Sequence, residues 1–386
     1  MFKKLLSTLA LGCAFGCSFW ACDSGSATIP TDPSTTTPTT TVVPVDYTLG
    51  RTMNAILGRG INLGNSWDSE GADDGGWGNP IRDTDFAIIK AAGFNSVRIP
   101  VRWQYNSDYG THTVDPNRLN GVLKHIRLAI ANGLAVVVNF HHYVELNCAG
   151  GGGTKSDGSK CTYDANAFMA EKAHFLALWA QVAAAMAEFP DNTVVLEILN
   201  EPSIPDASLV DQLMLEAYTV IRTYAPGKTV MFETYHLAKF EDIGSLHMPA
   251  DGNIIFSGHY YKPYDYTHEG HGYACKGDAT LISTAAADFA SYVSLAQKYY
   301  PDINGIDHIP MNMGEFGVAG GDAGFCPWQE GPSSSGKEYW TKKAAKVAVD
   351  NGISFHYWGF GQTGGFDAYN TGTEQWYEGF PGALIF

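Results

Sequence analysis

Eight apolar runs recur between residues 58 and 358, and helical stretches separate most of them. The runs occupy residues 58–63, 95–101, 135–140, 193–199, 229–234, 254–259, 309–314 and 353–358. Most lack polar–apolar alternation, as strands covered on both faces do. The stretches between them carry helical signals. Residues 85–92 close at Gly93, and Leu119, Val122, Leu123, Ile126, Ala129 and Ile130 form one stripe at helical spacing that closes at Gly133. Residues 165–189 stop before Pro190, 209–224 before Pro226, 281–300 at Pro301, and 338–349 near Gly352. Strand–helix alternation of this kind predicts a parallel sheet. Eight strands favour a closed α/β barrel, the (β/α)8 TIM barrel, over an open doubly wound sheet. No glycine-rich dinucleotide or phosphate-loop fingerprint follows the first run, which counts further against the open sheet. Two places fit less well: residues 235–251 are short for a crossover helix, and little helical pattern follows Trp358.

The chain ahead of the first run reads differently. Lys3 and Lys4 precede an apolar stretch at 5–21 with small residues near its end. That is a signal peptide over 1–21, too short and wrongly flanked for a membrane span. Cys22 follows Ala21 and precedes Asp-Ser-Gly-Ser, which resembles a bacterial lipoprotein cleavage site and makes Cys22 a lipidation candidate. A lipid there is the single tie to a membrane that the sequence suggests. Residues 22–48 are rich in Pro and Thr without apolar periodicity and read as an extended linker. One folded domain is then expected over 49–386.

Four cysteines remain beyond the leader and Cys22: Cys148, Cys161, Cys275 and Cys326. An even number in an exported chain reads as disulfides, with three possible pairings. Cys148–Cys161 would staple one Gly-rich excursion, and Cys275–Cys326 would join two long loops. Zinc sites use closer pairs than these. At 45% apolar, the 386 residues can bury a large core. The 24 Lys+Arg against 40 Asp+Glu show no basic patch, so no nucleic-acid partner is expected. Aromatic residues number 20 Tyr, 20 Phe and 9 Trp, enough to supply both core and stacking faces for flat apolar ligands such as sugar rings.

In a barrel of this class chemistry gathers at the C-terminal strand ends. Those ends carry Asn65 and Asp68, Arg98, His141 and His142, Asn200 and Glu201, His259, Tyr260, Tyr261 and His268, then Glu315 and Trp358. A lone strand-end glutamate is more often an ion-pair partner than a catalyst. Two on one rim, Glu201 after an apolar strand broken by Pro202 and Glu315 before Phe316-Gly317, can hydrolyse a glycoside. One protonates the leaving oxygen while the other attacks the anomeric carbon. Asn200 can donate to the sugar 2-hydroxyl, Arg98 and Tyr261 can keep Glu315 ionised, the histidines can bond hydroxyls, and Trp358 can offer a ring face. The pair His141-His142 could ligate a metal, but the nearby carboxylates are better used in catalysis, so neither metal nor cofactor is expected. His125 and His174 lie in helices and receive no role. Trp77, Trp103 and Trp376 could each serve a subsite or only cover the site.

Seven motifs carry a resemblance: Gly60-Ile-Asn-Leu-Gly-Asn65, Val97-Arg98-Ile-Pro, Asn139-Phe-His141-His142-Tyr, Leu199-Asn200-Glu201-Pro202, His259-Tyr-Tyr261, Gly314-Glu315-Phe-Gly and Tyr357-Trp358. Together they resemble glycoside hydrolase family five, in the clan of retaining cellulase-type barrels. The resemblance implies Glu201 as acid/base and Glu315 as nucleophile, with Arg98, His141, Asn200, His259, Tyr261 and Trp358 as companions. It adds His268 as a substrate contact, and Asn65 and His142 as contacts on the non-reducing side. The implied activity is a retaining endo-β-1,4-glucanase with a β-glucan polysaccharide as partner, of cellulose or mixed-linkage type. β-Mannan and xyloglucan are alternatives on the same scaffold. A non-catalytic glycan-binding surface lipoprotein is the reading from another class, and the presence of both glutamates argues against it. Two departures stand out. The Gly-rich segment from Cys148 to Cys161 is longer than a bare turn and is expected to wall one end of the cleft, and an eighth helix is missing.

Overall fold

In the computed structural model, which describes residues 42–271, 273–320, 326 and 331–386, eight parallel strands close on themselves in chain order. They are β1 (Arg59–Asn62), β2 (Ser96–Ile99), β3 (Ala135–Asn139), β4 (Val194–Glu197), β5 (Thr229–Phe232), β6 (Ile254–Tyr260), β7 (Met311–Phe316) and β8 (Ser354–Tyr357). Closure is made by β1 against β8, with Gly60 opposite His356. All but the first residue of β1 are buried, as the unalternating sequence requires. The strand β7 lies two residues later than the expected run, so Glu315 sits within the strand rather than after it. The leader at 1–21, Cys22 and the linker up to residue 41 lie outside the described residues.

The helices are α1 (Thr48–Leu57), α2 (Asp85–Ala91), α3 (Pro116–Ala131), α4 (Val144–Ala149), α5 (Ala165–Met186), α6 (Ala207–Tyr224), α7 (Tyr235–Ala238), α8 (Tyr264–Thr267), α9 (Ala285–Tyr299) and α10 (Ser334–Asp350). Local chemistry sets several starts. The Asp115, Asp164, Asp206 and Ser333 side chains accept backbone N–H groups at the first turns of α3, α5, α6 and α10, and Pro116 opens α3. On α3 the expected stripe faces inward, with Val122, Leu123, Ile126 and Ala129 buried.

Both weak places depart from a regular crossover. After β5 the segment α7 is a single turn with His236 and Leu237 at φ of 57° and 63°, followed by a 3-10 turn at Phe240–Ser245. After β8 the described chain forms a two-stranded ribbon, β9 (Tyr369–Asn370) with β10 (Gln375–Trp376). Its rings replace a helix: Tyr369 stacks on Phe360 at 4.6 Å, and Trp376 on Phe94 at 5.8 Å.

The floor of the barrel has a plug that the sequence reading lacked. Met53 and Leu57 of α1 pack against Ala135, Val137, Val195, Met231 and Ile255. Tyr47 is buried and donates its backbone N–H to Asp302, so packed chain extends upstream of the expected start at 49. Cys148 is bonded to Cys161, and Cys275 to Cys326. Such pairs belong to oxidising compartments, in keeping with export.

Candidate active site

Arg98 has no solvent exposure and anchors the site from inside β2. Its Nε and Nη2 fork onto Glu197 at 2.8 and 2.6 Å. Nη1 donates to Asn62 Oδ1 at 2.9 Å and to Glu315 Oε1 at 2.8 Å, and Nη2 donates to Asn200 Oδ1 at 2.5 Å. Asn139 adds a donor to Glu197 at 2.9 Å. Burial alone would raise Glu197, but the Arg98 charge and its hydrogen bonds bring the carboxyl down to about 2. Because Arg98 occupies Asn200 Oδ1, the amide nitrogen of Asn200 is the group left to face a ligand.

Glu201 follows β4 in a left-handed backbone conformation, φ 45°, which costs a non-glycine residue about 1–3 kcal/mol. Glu233, fully buried after β5, accepts the Glu201 backbone N–H at 2.7 Å. His259 Nδ1 lies 2.8 Å from Glu201 Oε1 and 3.6 Å from Glu315 Oε2. Its Nε2 stands 3.1 Å from Glu233 Oε1, close but not aligned as a hydrogen bond. Burial disfavours charge on this ring, yet Glu315, Glu233 and the bond to Glu201 raise it well above the ordinary histidine value. Glu315 receives the Tyr261 hydroxyl at 3.0 Å besides Arg98. Burial, helped by the Glu201 charge, lifts Glu315 above the usual glutamate value against His259 and Arg98. At Glu201 burial pushes the same way, but the His259 bond and charge win and hold it below. His259 thus stands one hydrogen bond from Glu201, in position to exchange a proton with it.

The remaining expected residues line the rim. His141 stacks on Trp358 with ring centroids 5.5 Å apart and planes 1° apart, and His142 meets His141 edge-on at 4.5 Å. Burial keeps both histidines neutral, His142 down to about 4 and His141 well below the ordinary value. His268 packs edge-on against Tyr261 at 4.8 Å, and burial lowers it to about 4. Asn65, at φ 57°, ties its amide to the Gln362 carbonyl at 3.2 Å. Gly64 beside it is required, since a Cβ there would stand 2.4 Å from the Trp358 ring. A recess of about 310 Å³ joins His141, His142, Asn200 and Glu201 to Gly152, Gly153 and Thr154 of the Cys148–Cys161 loop, which walls it as expected.

The three ambiguous tryptophans separate. Trp103 is buried and donates to the Asn139 carbonyl, and Trp376 packs in the aromatic ribbon cluster. Trp77 stays 40% exposed beside His142, its indole N–H held by Glu70 at 2.8 Å. Among the described residues, two groups bring three ligand-type atoms within 4.8 Å of one another, Asp68–His141–His142 and Glu201–His259–Glu315. Both Asp68 oxygens already accept backbone N–H groups, from Asn65 and Ser66. Glu197 and Glu233 escaped the sequence reading, and Asn62 and Asn139, though inside two of its motifs, received no role there. Glu233 carried a usable signal, because it directly follows the apolar part of the fifth run as Glu315 follows the seventh in sequence.

The chain matches the family described as Cellulase (glycosyl hydrolase family 5) over residues 57–364. It is 28% identical over 267 residues to endoglucanase H of Acetivibrio thermocellus, covering 68% of this chain and 26% of that protein. It is 25% identical over 347 residues to the xyloglucan-specific endo-beta-1,4-glucanase of Bacteroides ovatus, covering 81% of this chain and 65% of that one. The chain thus spans about a quarter of the first relative's length and just under two thirds of the second's. Solved structures of Thermotoga maritima Cel5A with cellobiose and with mannotriose each superpose with a TM-score of 0.71 at 29% identity, over 87% of this chain and 100% of theirs. With its eight-stranded barrel and a family match that runs through all eight barrel strands, the chain belongs to the cellulase family, glycosyl hydrolase family 5.

Proposed function

We propose that the chain is a retaining endo-β-1,4-glucanase, with Glu201 as acid/base and Glu315 as nucleophile. One observation carries this. A carboxylate oxygen of Glu201 and one of Glu315 lie within 4.8 Å of each other around His259. Retaining pairs stand about 5–5.5 Å apart, whereas inverting pairs leave about 6.5–9.5 Å for a water. Glu315, oriented by Arg98 and Tyr261, attacks the anomeric carbon as Glu201 protonates the departing oxygen. The Asn200 amide donates to the 2-hydroxyl, where charge develops. His259 Nδ1, 2.8 Å from Glu201 and 3.6 Å from Glu315, lies between the two carboxylates and can exchange a proton with Glu201. Water, deprotonated by Glu201, then cleaves the glycosyl ester and restores Glu315.

Endoglucanase relatives favour cellulose-type or mixed-linkage β-glucan as substrate. The relative named for xyloglucan and the mannotriose-bound neighbour support xyloglucan and β-mannan as second readings. Reducing-sugar release from carboxymethylcellulose, barley β-glucan, glucomannan and xyloglucan ranks them, with the first two expected fastest. Glu201→Gln and Glu315→Gln are each expected to lower release at least about a hundredfold. Full activity in either variant contradicts the assignment. Export is part of the same reading, with lipid on Cys22 after removal of residues 1–21. Mass spectrometry of the mature N-terminus is expected to show an acylated Cys22, and an unmodified terminus beyond it rules the anchor out.

A further inference from the structure

Like Glu197, Glu233 is a fully buried carboxylate at the reacting end of the barrel that neither arm of the proposed chemistry uses. Its two oxygens hold two different parts of the acid. Oε2 accepts the Glu201 backbone N–H at 2.7 Å, at the residue whose φ of 45° needs an external restraint. Oε1 faces His259 Nε2 at 3.1 Å and receives the Ser257 hydroxyl at 3.3 Å. On the opposite side of the same ring, Nδ1 contacts Glu201 Oε1 at 2.8 Å. Glu233 thus reaches Glu201 twice, through its main chain and through the imidazole.

We infer that Glu233 is a positioning residue for proton donation: it pins the strained backbone of Glu201 and fixes the His259 ring that is hydrogen-bonded to the Glu201 carboxyl. The inference rests on Glu201 being the acid/base. The charge on Glu233 also sets how firmly the His259–Glu201 pair keeps its proton. Burial pushes the Glu233 carboxyl up to about 7, with Glu197 adding to the rise and the His259 imidazolium opposing it. Below that pH Glu233 is neutral, and above it the added negative charge resists loss of the proton from the pair. Other titratable groups facing the pair are Glu197 of β4, Arg98 of β2, Glu315 of β7, and His141 and His142 after β3. Tyr261, Tyr264 and His268 face it from the segment after β6. None of these also binds the Glu201 main chain.

The sign follows from the charge. Removing a negative group near a proton-holding pair lowers the pH at which the pair loses its proton. Glu233→Gln is therefore expected to move the alkaline limb of kcat/KM to lower pH by about one unit, while Glu233→Asp, which keeps the charge, leaves that limb within about half a unit of wild type. Two aryl β-cellobiosides make the readout specific to proton donation. One carries a poorly departing phenol that needs the acid, the other a dinitrophenol that leaves without it. Glu233→Gln is expected to lose about tenfold or more in kcat/KM on the first and at most about twofold on the second. Thermal melts confirm that each variant is folded. Equal loss on both substrates at every pH, or no change on either, overturns the inference. Glu201→Gln serves as the reference: if it shows no selective loss on the poor leaving group, the acid/base assignment fails instead.

Discussion

Arg98 makes five hydrogen bonds from a position without solvent exposure, and four of its partners reach it from other strands or their ends. An isolated buried charge would be costly, so each partner restrains the rest. Glu197 is depressed to about 2, which makes its stabilisation fully present above the unfolded glutamate value near 4.3 and lost as pH falls toward 2. The stability gap between wild type and Glu197→Gln is expected to shrink by about 3 kcal/mol between pH 5 and pH 2, measured by urea unfolding. An unchanged gap means that Glu197 is not held ionised by Arg98. Gly64→Ala probes the rim, because its Cβ meets the Trp358 ring. Displacing that ring from its stack on His141 is expected to raise KM up to about tenfold with kcat less affected. Sequence showed Glu201 and Glu315 plainly, since each ends an apolar run beside a chain-breaking residue. It hid Glu197, whose partner lies two strands away across β3 and is met only because the barrel curves.

The element that departs most from a minimal barrel is the connection after β3, from α4 through the bond between Cys148 and Cys161. Gly152 packs so closely on the Ser203 carbonyl that a Cβ would stand 2.2 Å from it, which fixes the loop against the segment following Glu201. Opening this 13-residue loop by Cys161→Ser is expected to cost about 3 kcal/mol in unfolding free energy. It is also expected to reduce turnover of polymer more than turnover of a short aryl cellobioside. Equal reductions on both would mean that the loop does not border bound glycan. Helices closed by Gly or Pro were legible in the sequence. The turn α7 was not, because its left-handed His236 and Leu237 obey no local rule and depend on the packing around them.

Across the whole molecule the two ends of the barrel divide the work. Chemistry gathers where the strands end, and α1 closes the other face. Leu57→Ala removes a fully buried plug residue and is expected to cost about 2–5 kcal/mol while leaving kcat of the folded enzyme near wild type, measured by unfolding and steady-state rates. A matching fall in kcat would show that floor and site are coupled. The barrel itself was legible because eight buried strands write eight apolar runs. The plug was not, since a helix ahead of the first strand has no partner in sequence to announce what it covers. The most direct test of the central claim is mass spectrometry of protein incubated with a 2-fluoro-cellobioside carrying an activated leaving group, which lets a nucleophile react but slows release. A cellobiosyl adduct on the peptide containing Glu315 is the expected result. Turnover without any adduct, or an adduct on another carboxylate, contradicts double displacement through Glu315.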